Sequence, residues 1–101
     1  MHNYIVNASV QIVPLAQDRH PYAWVDEAIA IIQQSGIQHE VNAFATVLEG
    51  TYDEVMLVIH QVNEHLQRQG CHEWITNLQI QIRSTGDITA DEKTEKYRSN
   101  L

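Results

Sequence analysis

Ala45-Thr46-Val47-Leu48-Glu49-Gly50-Thr51-Tyr52-Asp53-Glu54 is the stretch on which the fold turns. Its first six residues read as a strand, closed by Gly50 and Thr51. Thr51-Tyr52-Asp53-Glu54 then forms a capping box, in which the threonine hydroxyl accepts from an amide of the first helical turn and Glu54 reaches back to the cap. The helix that it opens runs to about Gln69. Val55, Val58, Ile59, Val62 and Leu66 make its apolar stripe at the 3.6-residue period. Gly70 supplies its stop.

Working back from Ala45, Ile37 to Ala43 reads as a second strand, joined to the first by a tight connection around Asn42 to Ala45. Gly36 ends a helix over Tyr22 to Ser35, and Pro21 suits its first turn because a proline there loses no hydrogen bond. Val25, Ala28, Ile29 and Ile32 form its expected stripe, with Trp24 and Ile31 beside it. Before it, Asn7 to Val13 alternates strictly: Ala8, Val10 and Ile12 point one way, Asn7, Ser9 and Gln11 the other. Pro14 should end that ladder. Forward of Gly70, Trp74 to Arg83 alternates again, with Leu78, Ile80 and Ile82 expected inward and Asn77, Gln79, Gln81 and Arg83 outward. Thr89-Ala90-Asp91-Glu92 repeats the capping-box pattern and opens a short polar helix to about Ser99.

The order strand, helix, strand, strand, helix, strand, tail helix in 101 residues is one domain. Right-handed crossovers in both halves predict a ferredoxin-like α+β sandwich of the split βαβ type. Its antiparallel sheet has strand order 4-1-3-2, with both long helices on one face and a short helix at the C-terminal end.

Charge and composition exclude several functions. Thirteen acidic residues against six basic ones give a formal charge of −7, which repels phosphate backbones, so nucleic acid is not an expected partner. No apolar run reaches the roughly 18 residues of a membrane span. The N-terminus carries no basic leader pattern, and the single cysteine, Cys71, suits a reducing compartment, so a cytoplasmic protein is expected. His60 and His65, five apart, do not share a helical face, and His60 with Glu64 lacks further ligands, so no metal site is expected. There is no glycine-rich phosphate loop, no acylphosphatase-type loop with its arginine, and no aromatic pair on the central strands of the kind RNA-binding sheets use.

Two features invite ligand binding. The sheet face away from the helices carries Ser9, Gln11, Gln79 and Gln81, uncharged groups that hydrogen-bond in both senses. Such a face is either solvated, or packs on a second subunit or lines a cleft. Glu49, at the end of a central strand beside Gly50, either sits at a cleft rim or supports the helix that begins just after it.

Over nearly its whole length the chain resembles the thiamine-binding domain family of small ferredoxin-like proteins, which is related to a tandem-repeat protein that binds thiamine and its hydroxymethylpyrimidine. The resemblance rests on Ser9 through Pro14-Leu15, Ser35-Gly36-Ile37, Thr46-Val47-Leu48-Glu49-Gly50, Ile80-Gln81-Ile82-Arg83 and Lys93. Ala16 and Ala45 stand where such proteins usually carry glycine. The resemblance implies assemblies of two or four chains, hence a homodimer or homotetramer, with a pyrimidine-type ligand; no cofactor is expected. On that reading Glu49 meets a ring nitrogen, and Ser9, Gln11 or Thr46 the exocyclic amine, so Ser9, Gln11, Thr46 and Glu49 are the candidate ligand-binding residues. Nothing in the set activates a bond, so a carrier or sensor is expected rather than an enzyme. The alternatives are an oligomeric structural or regulatory protein without a pyrimidine ligand, and an enzyme acting on such a pyrimidine.

Overall fold

The computed structural model describes residues 3–98. Seven elements follow one another: β1 (Ile5–Pro14), α1 (Pro21–Ser35), β2 (Gln38–Val41), β3 (Thr46–Thr51), α2 (Tyr52–Arg68), β4 (Trp74–Gln81) and α3 (Ala90–Arg98). The sheet order is β2-β3-β1-β4 with every neighbouring pair antiparallel, which is the expected order read from its other edge.

The helix signals act as their chemistry requires. Thr51 Oγ1 accepts from Glu54 N–H at 3.2 Å, and Glu54 Oε1 accepts from Thr51 N–H at 3.0 Å. That hydrogen bond favours the ionised carboxylate and holds the Glu54 carboxyl below its ordinary range. Val55, Val58, Ile59, Val62 and Leu66 are all buried. α1 starts with Pro21 in its first turn, its cap being His20, whose Nδ1 accepts from Tyr22 N–H at 3.1 Å. It stops at Gly36, whose φ of 76° is left-handed and costs a side-chain-bearing residue about 1 kcal/mol or more.

Four expectations are corrected. The deepest residues of α1 are Trp24, Ala28 and Ile32. Val25 and Ile29 instead flank that stripe and line a cavity. β1 runs on through Pro14, which pairs with Trp74. Leu15 N–H donates to Glu73 O on the β4 side, so alternation turns Pro14 to the other side, where β3 has already ended and no hydrogen bond is lost. β4 stops at Gln81, leaving Ile82 exposed rather than inward. At Thr89 only half of the second capping box forms. Thr89 Oγ1 accepts from Glu92 N–H, but the Glu92 carboxylate is drawn off to Arg83 in a two-pronged pair at 3.1 and 3.0 Å. Ser99, the expected end of the tail helix, lies outside the described residues.

Val6, Ala8, Val10 and Leu48 of the central strands meet the stripes of α1 and α2 to form the core. The segment after β4 then crosses beneath the opposite sheet face. Ile88 buries itself there, its N–H donating to Ile5 O, while Asp87 Oδ1 accepts from Ile5 N–H. α3 itself buries no residue and is held by polar contacts.

Candidate functional site

Two recesses flank the central strands, one on each face of the sheet. The first opens between α1 and the sheet, beside the hairpin that joins β2 to β3. Its volume is about 200 Å³. Val25 and Ile29 of α1 and Val10 and Ile12 of β1 wall it, with Thr46 at the start of β3 and the turn residues 42–45. Asn42 N–H donates to Ala45 O at 2.9 Å and so fixes that turn. Phe44, at its tip, is 84% exposed, and Tyr22 on the facing rim is 75% exposed. His20 props the tyrosine edge-on, with ring centroids 4.8 Å apart.

The register explains why a cavity forms there. Val10 pairs with Thr46, and β1 then continues to Pro14 with no partner on its β3 side. Because Leu15 N–H points to β4, alternation aims the N–H and C=O of Ile12 at that unpaired edge. A donor and an acceptor therefore stand side by side at the cavity. Thr46 is 5% exposed, and its hydroxyl makes no hydrogen bond among the described residues. No charged side chain lines this recess.

The second recess, about 210 Å³, lies on the opposite face next to α3 and is polar, lined by Asn7, Ser9, Val47, Gln79, Gln81 and Lys93.

The four residues expected to bind together are divided by the sheet. Thr46 points to the helix side and lines the apolar cavity. Gln11 borders it too, but its side chain lies on the other face, where Oε1 accepts from Asn77 Nδ2 at 3.2 Å. Ser9 lines the polar cleft. Glu49 stands opposite Asn7, and its Oε1 accepts from Ala90 N–H at the first residue of α3. It does support a helix terminus, but that of α3 rather than α2. The physical reason for the division is the two-residue period of a strand. Thr46 and Glu49, an odd number of positions apart, have to face opposite sides.

The sequence reading passed over Val25 and Ile29, which it placed in the core, and Phe44. An aromatic residue at a hairpin tip, where Asn, Gly and Asp are the usual choice, was the available signal.

A family model described as thiamine-binding protein matches residues 8–98. The chain belongs to the thiamine-binding protein family. A UPF0045 protein of Clostridium perfringens is 33% identical over 92 residues, which covers 91% of this chain and 96% of that one. A Bacillus cereus structure of a DUF77 domain of unknown function superposes with a TM-score of 0.90 at 36% identity, covering 98% of this chain and 95% of the other. A Thermotoga maritima structure, provisionally described as a thiamine biosynthesis/salvage protein, gives a TM-score of 0.84 at 31% identity, covering 93% and 99%. Within this thiamine-binding family frame, Ala45 lines the apolar cavity and Ala16 packs against the core.

Proposed function

We propose that this chain is a non-catalytic thiamine- or hydroxymethylpyrimidine-binding protein, a carrier or sensor, and that the cavity between α1 and the sheet receives the pyrimidine. The observation that carries this reading is the cavity itself, a half-open apolar recess with an unpaired Thr46 hydroxyl and an unpaired strand edge, in a member of this family. An aminopyrimidine presents an amine donor next to a ring-nitrogen acceptor, the complement of the C=O and N–H of Ile12. The Thr46 hydroxyl adds a partner of either sense. Volume decides how much of thiamine enters. A cavity of about 150 Å³ holds a benzene ring, so about 200 Å³ admits one substituted six-membered ring and leaves the thiazolium outside. There it meets Phe44 and Tyr22, ring faces that attract a cation, on a chain of formal charge −7.

The absence of a charged group from the lining supports binding over catalysis, since no side chain there is suited to move a proton at neutral pH. Cys71 is buried away from this lining, and burial holds its thiol above the ordinary range, protonated and unreactive. A lone buried thiol also suits a cytoplasmic setting.

Calorimetry and thermal unfolding test the assignment. At a ligand concentration of about 100 times Kd, binding adds about 2.7 kcal/mol to stability. For a domain of this size that raises Tm by roughly 10 °C or more. Thiamine and the free hydroxymethylpyrimidine should both give such a rise, and the thiazole alcohol alone should not. No shift with either pyrimidine at millimolar concentration would overturn the proposal.

Self-association belongs to the same reading. β4 is an edge strand of 8 residues, and Leu78 and Ile80 on its helix side are only half covered. An unpaired edge of that length is commonly closed by a symmetry mate. Light scattering at micromolar concentration should return at least twice the 11.6 kDa chain mass. A monomer mass would contradict it.

A further inference from the structure

The polar cleft on the opposite sheet face has no part in pyrimidine binding as proposed, yet its chemistry is that of a site. Asn7 is 7% exposed, and the one hydrogen bond of its side chain among the described residues, Nδ2 to Leu48 O at 3.4 Å, lies at the weak end of the range. Ser9, Gln79 and Gln81 add a hydroxyl and two amides around the same recess of about 210 Å³. Into it α3 extends Lys93, whose Nζ donates to Gln81 Oε1 at 2.9 Å, an uncharged acceptor.

Three acidic groups on or against α3 are already engaged. Glu92 pairs with Arg83 at 3.0 Å, Asp91 with Arg98 at 2.6 Å, and the Glu49 carboxylate accepts the Ala90 amide hydrogen. A positive charge thus stands in a donor-rich cleft of a chain whose formal charge is −7. This exposed ammonium has only a neutral amide as its partner among the described residues, and an ionised acceptor makes hydrogen bonds about twice as strong as a neutral one.

We propose that the cleft formed by Asn7, Ser9, Gln79, Gln81 and Lys93 is a second ligand site, separate from the apolar cavity, and that it takes a small oxyanion, a carboxylate or phosphate group. Lys93 is its charge partner. The Asn7 amide, Ser9 hydroxyl and glutamine amides are donors to the remaining oxygens. One ammonium within a negative chain sets a millimolar affinity.

Amide NMR titrations of the full chain with sodium phosphate, and separately with sodium acetate, test this against sodium chloride at equal ionic strength. The expected result is saturable shifts at Ser9, Gln79, Gln81 and the Asn7 side-chain amide with at least one oxyanion. Phosphate alone, acetate alone or both identifies the group preferred. Lys93→Gln should weaken the response about tenfold, and Lys93→Arg should restore most of it. Thiamine affinity should stay within about twofold in both variants, so the outcome is independent of the pyrimidine assignment. Shifts that match chloride, or saturable shifts unchanged by Lys93→Gln, would overturn the proposal.

Discussion

Leu48→Ala should lower the unfolding free energy by about 3 to 5 kcal/mol, the upper range for removing a buried leucine side chain. Leu48 has no solvent exposure and lies on the central strand β3, between Ala8 of β1 and His39 of β2. It packs beneath the helices, so the space left behind has little means of collapsing. For a domain of about 100 residues the change amounts to roughly 15 to 30 °C in Tm. Urea unfolding measures it, with an unchanged m-value showing that the two states compared are the same. A loss below about 1 kcal/mol would mean that the core is not centred where the sheet and helices place it.

The second large effect concerns the ligand. Val25→Trp places an indole in the space assigned to the pyrimidine, so thiamine affinity should fall by about a hundredfold or more, as calorimetry would show. Val25 is half-buried at the cavity margin, which lets the larger side chain enter without breaking the stripe of Trp24, Ala28 and Ile32. Tm of the free protein should therefore move by only a few degrees. Glu49→Gln gives the contrasting pattern. It weakens the contact to the α3 terminus and should cost about 1 kcal/mol, with affinity unchanged, because Glu49 lies across the sheet from the cavity. If Glu49→Gln abolished binding and Val25→Trp did not, the ligand would belong on the other face.

The fold was legible because its signals are local. Thr51 and Glu54 announce α2 within four residues, Gly36 closes α1, and the alternation of Asn7 to Val13 defines the two faces of β1 without reference to any other strand. The site was less legible because it depends on register and strand length. That β3 stops at Thr46 while β1 continues to Pro14 is a fact about pairing, and no residue in either strand states it. The same holds for Glu49. Nearness in sequence suggested a role at α2, whereas the chain returns after β4 to bring Ala90 against it. Val25 and Ile29 looked like core because cavity walls and cores draw on the same residues.

Placement of the pyrimidine is tested most directly by an amide NMR titration of the full chain with thiamine, followed residue by residue across both faces of the sheet. The expected result is saturable perturbation at Ile12, Val25, Ile29, Ala45 and Thr46 around the apolar cavity, with Ser9, Gln79 and Gln81 on the opposite face unmoved. Perturbation confined to Ser9, Glu49, Gln79 and Gln81, with the cavity amides still, would contradict it.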